Sequence, residues 1–326
     1  MSALWFGRAG GLGTAAAASA LLLVAVIVSS HLQGWILLFS VPAFFIVGHL
    51  LGREVEQRRV DLRDMDRLRS IQNALAPAER PDLPLLEVGT SYVPAQAGVA
   101  GDFYLVTEGL NNATVIVVGD VAGKGMTAAK RATFVRATLT ACSPFTDDPV
   151  YLLRTANAEL VRQYGFAAEF ITMICVVVQP DGRLIWSTAG HPPPLSLSNG
   201  EPIATQEPAF PLGIAPDLPA VASHGVLPDA GLLLYTDGLL DARPPSGRYE
   251  TLGFRRLGRI ISELPDPSPQ DAVDRLTRMA ETFAGGVLPD DLCLVALRSK
   301  LPHHAWRESE SDAAAGAPSF APVGDL

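Results

Sequence analysis

Four aspartates of this 326-residue chain border apolar, strand-like runs: Asp102, Asp120, Asp237 and Asp290. Three of them have glycine as an immediate neighbour, and glycine lets the backbone turn sharply or approach a ligand closely. Carboxylates that strand ends bring together repel one another unless a cation neutralises them. An all-oxygen site without His or Cys suits Mg²⁺ or Mn²⁺. A single Asp in such a place is usually a turn or cap residue, but the repeated context predicts a divalent-cation site.

Two motifs of other enzyme classes are incomplete in this chain. A phosphate-binding loop, GxxxxGK[ST], would need glycine at position 118 and serine or threonine at position 125, where Val118 and Gly125 stand. Residues 100–103, AGDF, are similar to the signature of diguanylate cyclases, but Phe103 replaces its second acidic residue. The sequence therefore disfavours a P-loop nucleotidase and a nucleotidyl cyclase.

Alternating strands and helices are predicted to position these acids. Continuous apolar runs typical of strands covered on both faces lie at 113–118, 170–178, 183–188, 231–236 and 292–297. A helix is predicted after Gly125 because apolar residues recur at spacings of four and three: Ala128, Ala132, Val135, Leu139 and Cys142. Two later helices are predicted at 252–263 and 270–283. The pattern indicates an α/β domain.

Six motifs occur in an order that identifies a family. They are AGDFYLV (100–106), VVGDVAGKGMTAA (117–129), STAGHPPPL (187–195), PLGI (211–214), LLLYTDGLLDAR (232–243) and DDLCLVALR (290–298). Over residues 70–298 the chain resembles the bacterial SpoIIE/RsbU-type branch of the metal-dependent, PP2C-like serine/threonine phosphatases. The resemblance implies an α-β-β-α sandwich with two Mn²⁺ or Mg²⁺ ions in the cleft between its sheets.

The resemblance also implies the site residues. The metal ligands would be Asp102, Asp120, Asp237, Asp290 and the carbonyl of Val121, with Asp291 as the alternative to the adjacent Asp290. Asp120 and Asp237 would be the catalytic residues, and Asp120 would contact both ions. The hydroxide formed from a water between two such ions would attack phosphorus directly, without a covalent phospho-enzyme.

Three further residues near these motifs, Lys124, His191 and Thr172, are each open to two interpretations. Eukaryotic relatives carry a histidine shortly after the Asp that matches Asp120, whereas this chain has VAGK at 121–124. Lys124 could contact phosphate, although a lysine that begins a helix is usually only solvated. His191 lies in the AGH turn of the family and is interpreted as a buried, hydrogen-bonded residue that braces the turn. Thr172 also matches a family position and is interpreted as a core strand residue.

The N-terminal segment has the composition of a membrane anchor. Between Arg8 and Arg53 lie 44 residues without Lys, Arg, Asp or Glu. Because one membrane helix needs about 20 apolar residues, residues 1–52 are predicted to form a transmembrane hairpin with helices near 12–30 and 34–51. A cleaved signal peptide is the alternative, but it leaves the second apolar run unexplained.

The charges around the hairpin predict its orientation. Arg8 precedes it, six arginines lie between residues 53 and 69, and the turn has none. The positive-inside rule then places both ends in the cytoplasm of a bacterial inner membrane. Residues 53–76 are predicted to form a linker helix, either a solvated spacer or a weak homodimer contact through Leu62, Met65, Leu68 and Leu75.

Composition limits the remaining possibilities. A net charge of −9 argues against a nucleic-acid partner. Three widely spaced cysteines, Cys142, Cys175 and Cys293, form no zinc or disulfide framework. The phosphatase domain is predicted at 77–298 and a disordered tail at 299–326, since the tail is rich in Ala, Pro, Ser and Gly.

The expected function follows from the resemblance. It implies a membrane-anchored protein serine/threonine phosphatase acting on a phosphorylated STAS-type anti-sigma-factor antagonist in partner-switching control of sigma factors. The alternative is a non-catalytic binding module that sequesters this partner. The presence of all four acids argues against such a module.

Overall fold

Nine strands and four helices make up the part of the chain that the computed structural model describes, residues 83–95, 101–166, 169–207, 209–245 and 250–300. The strands are β1 (Leu86–Val93), β2 (Phe103–Glu108), β3 (Thr114–Val121), β4 (Ile171–Val178), β5 (Arg183–Ala189), β6 (Leu195–Ser196), β7 (Ser223–Val226), β8 (Leu232–Tyr235) and β9 (Leu292–Ser299). The helices are α1 (Met126–Cys142), α2 (Pro149–Tyr164), α3 (Gly253–Ser262) and α4 (Pro269–Phe283). Short 3₁₀ turns lie at Leu110–Asn112, Ser143–Phe145 and Asp237–Leu239.

The strands form two antiparallel sheets. One has four strands in the order β1-β9-β8-β6, and the other has five in the order β2-β3-β4-β5-β7. In the first sheet Leu86 pairs with Ser299 and Tyr235 with Leu294. In the second, Phe103 pairs with Gly119. These pairings place the beginning of β2 beside the end of β3, and the end of β8 beside the beginning of β9.

Each central strand is apolar on both faces because each face meets a different core. In β9, Leu292, Leu294 and Ala296 pack with α3 and α4, whereas Cys293, Val295 and Leu297 belong to the core between the sheets. β3 alternates in the same way between that core and the one beneath α1 and α2. Successive side chains of a strand point to opposite faces, so the uninterrupted apolar runs encode a four-layer arrangement. The predicted α-β-β-α sandwich is confirmed.

The helices lie close to the predicted positions, with one addition. Ala128, Ala132, Val135 and Leu139 of α1 are buried as predicted, while Cys142 is only partly buried. Helix α2 was not predicted, although its signals are ordinary ones. The Asp148 side chain accepts a hydrogen bond from the backbone N–H of Val150, which caps the helix, and Pro149 occupies its first turn.

The folded unit continues to at least Lys300. The predicted disordered tail begins at 299, but Ser299 pairs with β1, and the backbone N–H of Lys300 donates to Leu85 O. The predicted hairpin (1–52), the linker helix (53–76) and residues 301–326 lie outside the described residues. Within the described part of the chain, no helix is long and apolar enough to cross a membrane.

Candidate metal centre

The four predicted acids lie at one end of the two sheets. Asp102 immediately precedes β2 and Asp120 is near the end of β3, while Asp237 follows β8 and Asp290 precedes β9. A hydrogen bond joins the two sheets at this end, where the Thr236 hydroxyl donates to Asp102 Oδ2 at 2.6 Å. The same hydroxyl accepts the backbone N–H of Cys293 at 3.0 Å. Thr236, completely buried beside Asp237, therefore ties the beginnings of β2 and β9 together.

Burial, together with repulsion between neighbouring carboxylates, raises the pKa values of three of these aspartates. Burial, and then the charge of Asp120, holds the pKa of Asp102 well above its usual range. Burial and the charges of Asp237, Asp290 and Asp291 raise the pKa of Asp120 to about 6. Burial raises the pKa of Asp237, with Asp241 and Asp290 contributing. Each acid therefore carries an electrostatic cost that a bound cation would relieve.

Asp290 and Asp291 differ in what their oxygens contact. Asp291 Oδ1 accepts the backbone N–H of Ala95 at 2.7 Å, and its Oδ2 accepts that of Gly101 at 3.0 Å. Both oxygens are thus occupied in holding the two ends of the 95–101 segment, next to Asp102. Asp290 accepts only its neighbour's N–H from the backbone and faces Lys124. Asp291 uses both carboxylate oxygens in these contacts, whereas the contacts of Asp290 involve only Oδ1. This geometry favours Asp290 over Asp291 as the candidate metal ligand.

Lys124 forms a contact that its sequence position did not predict. Its Nζ lies 3.0 Å from Asp290 Oδ1 and donates to Pro289 O at 3.3 Å. The side chain is still half exposed, so it is solvated on one side and ion-paired on the other. The pairing holds the glycine-rich turn after β3 against the segment that precedes β9.

Close backbone approaches explain two of the glycines beside the acids. A Cβ on Gly101 would lie 2.8 Å from Val121 O, and a Cβ on Gly238 would lie 1.9 Å from Asp291 O. Such distances are far shorter than ordinary contacts. Glycine at these two positions lets neighbouring predicted ligand segments approach each other closely within each sheet, 101 against 121 in the five-stranded sheet and 238 against 291 in the four-stranded sheet.

His191 braces the turn, as predicted. It is buried, and its Nε2 lies 3.0 Å from Tyr235 O, while its Nδ1 lies 3.0 Å from the Thr172 hydroxyl. A carbonyl only accepts, so Nε2 carries the proton and Nδ1 accepts from Thr172. The neutral ring therefore links β4 of one sheet to β8 of the other, one residue before Thr236.

We expect His191 to make folding sensitive to acid. Burial lowers its pKa to about 4, whereas a histidine in an unfolded chain titrates near 6.5. Below pH 6.5 the unfolded chain binds a proton at this histidine that the folded chain does not, so His191 by itself lowers the free energy of unfolding by about 2 kcal/mol between pH 7.5 and pH 5. The raised pKa values of Asp102 and Asp120 act in the opposite direction, so the effect of His191 is the difference between the wild type and a His191→Gln variant. Urea unfolding at both pH values, followed by circular dichroism, should show that the wild type loses about 2 kcal/mol relative to the variant. The same pH dependence in both proteins would contradict the assignment.

The donor chemistry fits divalent cations, although the donors do not yet enclose one. Asp102, Asp120, Asp237 and Asp290 offer only oxygen, and no His or Cys competes among them, which suits Mg²⁺ or Mn²⁺. Among the described residues, no three Asp, Glu, His or Cys side chains already form a group that could hold an ion. The ligand set, including the Val121 carbonyl, therefore stays a prediction.

Sequence reasoning missed two members of this region. Asp241 lies four residues after Asp237, its backbone N–H donates to Asp237 O, and its charge raises the pKa of that acid. Its presence in the LLLYTDGLLDAR motif was the available signal. Thr236 belongs to the same motif, but the motif does not show its hydrogen bonds, because its partners, Asp102 and Cys293, are remote in sequence.

Comparison with known proteins gives consistent results. The sequence model of the family described as Stage II sporulation protein E (SpoIIE) matches residues 111–300, more than half of the chain. Protein IcfG of Synechocystis sp. is 25% identical over 284 residues, which cover 76% of this chain and 43% of IcfG. The chain thus spans less than half the length of this relative.

Two solved structures have the same fold. The RsbU and RsbW domains of a Mycobacterium tuberculosis protein superpose with a TM-score of 0.58 at 24% identity, covering 70% of this chain and 64% of that one. The SiaA-PP2C domain of Pseudomonas aeruginosa gives a TM-score of 0.62 at 19% identity, covering 74% and 97%. At these identities the likeness establishes a common PP2C-type fold.

Proposed function

Since the chain belongs to the SpoIIE family, we propose that it is a metal-dependent protein serine/threonine phosphatase. One observation carries this proposal: two sheets bring Asp102, Asp120, Asp237 and Asp290 to one end, where burial and mutual repulsion raise the pKa of three of them. Without a cation, this clustering of carboxylates destabilises the fold. Divalent cations bound at the site of a metal-dependent hydrolase would offset that cost.

Each residue would have a distinct task. The four aspartates and the Val121 carbonyl would hold two Mn²⁺ or Mg²⁺ ions. When bound, such ions polarise phosphate oxygens and make a water nucleophilic at neutral pH. Asp120, whose pKa is raised by burial and by the charges of Asp237 and Asp290 in the other sheet, would be the ligand that both ions share. Asp291 and Thr236 would keep Asp102 and β9 in position.

Lys124 would compete with a cation for Asp290. Its ammonium now neutralises this carboxylate, so a Lys124→Gln variant should bind Mn²⁺ about two- to fivefold more tightly, the usual effect of a surface ion pair. Isothermal titration calorimetry on the purified chain measures this. Lys130→Gln, which changes an exposed lysine of helix α1 just after this turn, is the matched control. Weaker binding by Lys124→Gln would instead make the lysine part of the ion site.

Phosphate release tests the activity directly. The purified full-length chain is incubated with a phosphoserine peptide and with p-nitrophenyl phosphate, each with Mn²⁺, with Mg²⁺ and with excess EDTA. We expect release with either cation and none with EDTA. Tight binding of a phosphoprotein without release under any condition would favour a non-catalytic binding module.

The family suggests a substrate class. We propose a phosphorylated STAS-type anti-sigma-factor antagonist, supported by the likeness to a protein that carries an RsbU domain together with an RsbW domain. Turnover of a phosphorylated STAS domain should then exceed that of phosphorylated casein at equal concentration. Equal turnover would contradict a dedicated substrate.

We further propose that residues 1–52 anchor the protein in a bacterial inner membrane with its phosphatase domain in the cytoplasm, and that residues 53–76 form a weak homodimer contact. The uncharged 44-residue segment and its flanking arginines support the anchor. The chain should remain in the membrane fraction after carbonate extraction. A soluble mature protein that begins near residue 30 would show that the segment is a signal peptide.

A further inference from the structure

A shallow apolar groove lies between α3 and α4 on the outer surface of the four-stranded sheet. It has a volume of about 400 Å³ and is lined by Leu252, Ile260, Met279, Phe283, Thr282 and two arginines, Arg256 and Arg278. Phe254, near the start of α3, is about half exposed. The groove thus offers an apolar floor with a positive rim.

The rim charge is only partly compensated. Arg256 pairs with Glu250 at 2.8 Å and lies 5.0 Å over the ring of Phe283. Arg278 has no carboxylate of the described chain within ion-pair distance. Helix α3 adds Arg255 and Arg259 and contains no acidic residue. Helix α4 carries Asp271, Asp274 and Glu281, but none of these acids lines the groove. In a chain of net charge −9 the rim of the groove is therefore basic, which complements an acidic partner.

The chain connects one end of the groove to the acidic site. The backbone N–H of Leu252 donates to Ala242 O, and that of Gly253 donates to Leu240 O, so α3 begins against the turn that follows Asp237. At the same end, α4 finishes at Phe283, and a short segment leads from it to Asp290. At this end of the groove, both helices are therefore joined to the segments that carry Asp237 and Asp290.

We propose that this groove docks the phosphoprotein substrate through an acidic segment with an apolar side chain, beside the phosphoserine. The inference rests on the proposed phosphatase function and adds a recognition surface to it. The apolar floor accommodates a leucine or phenylalanine, while Arg256 and Arg278 attract flanking carboxylates. The concave shape between two helices suits a peptide segment better than a flat lipid surface.

Two synthetic substrates test the docking. Each carries the same phosphoserine sequence, joined by a Gly-Ser linker to a leucine- and phenylalanine-containing segment, with glutamates in one and lysines in the other. On the full-length chain we expect KM for the acidic peptide to be about fivefold lower at low salt, as for one well-placed surface charge pair. The difference should shrink at high salt.

Charge reversal at one arginine provides the decisive variant. Arg278→Glu should remove or invert the preference for the acidic peptide, whereas Arg275→Glu, the same change on an exposed residue of the same helix outside the groove, should retain it. Turnover of p-nitrophenyl phosphate should be unchanged in both, since neither residue belongs to the acidic site. If the wild type hydrolyses neither peptide nor p-nitrophenyl phosphate, that result contradicts the proposed phosphatase function and not the docking surface.

Other occupants of the groove give different results. Identical kinetics for the two peptides, or equal effects of the two variants, overturn the proposal. If Arg278→Glu instead weakens binding to phosphatidylglycerol vesicles while peptide kinetics stay unchanged, the groove contacts a membrane and not the substrate. If it changes only the oligomeric state measured by light scattering, the groove binds a second copy of this chain.

Discussion

Replacing Asp120 by asparagine is expected to lower Mn²⁺-dependent phosphate release by about a thousandfold or more while the domain stays folded. The amide keeps the size of the side chain but loses the charge that balances the cations, whose contribution to the transition state is several kcal/mol, at about 1.4 kcal/mol for each factor of ten. Asp237→Asn should behave in the same way. Stability should not fall, because the pKa values of both acids are raised and the charge is a cost to the apo fold.

An exposed aspartate provides the matched control. Asp217→Asn removes the same charge from a loop residue outside the site and should leave turnover near that of the wild type. Phosphate release and Mn²⁺ binding by calorimetry are measured on all three variants, with circular dichroism to verify the fold. Near wild-type turnover in Asp120→Asn or Asp237→Asn would remove that residue from the metal centre.

The second large effect is expected from Gly238→Ala. The added Cβ would lie 1.9 Å from the carbonyl oxygen of Asp291, and the atom it meets is backbone, which cannot rotate away. Either the turn after Asp237 or the start of β9 must shift. Overpacking of this kind costs about 1–3 kcal/mol, and a contact this short places it near the upper end. The shift also separates Asp237 from Asp290, so Mn²⁺ affinity should fall together with stability.

Gly225→Ala is the control for backbone effects. Gly225 is exposed in β7, and a Cβ there would meet only ring atoms of Trp186, at 3.3 and 3.4 Å. Urea unfolding and Mn²⁺ titration of both variants separate a local steric effect from the general effect of losing a glycine. If Gly238→Ala binds Mn²⁺ and unfolds like the wild type, the two segments are not in the close contact described above.

Local patterns in the sequence predict an α/β domain whose central strands are covered on both faces, and the resemblance to the phosphatase family supplied the α-β-β-α order of the layers. The uninterrupted apolar runs of β3 and β9 require cover on both faces, and the three- and four-residue spacing in α1 requires one buried stripe. Acids placed immediately beside such strands must lie at the sheet ends. The candidate aspartates stand out by the same local information, whereas the buried state of His191 was inferred from its place in the AGH turn of the family.

Tertiary structure alone decided how these pieces act on one another. Asp290 and Asp291 are chemically identical neighbours, and remote partners distinguish them: Asp291 accepts the N–H groups of Ala95 and Gly101, 196 and 190 residues away, whereas Asp290 pairs with Lys124. The ion pair of Lys124 with Asp290 and the hydrogen bond of Thr236 with Asp102 join different strands in the same way. Periodicity reports which face of an element is buried. It does not indicate which remote segment covers that face, because strand order and register are set by packing of the whole chain.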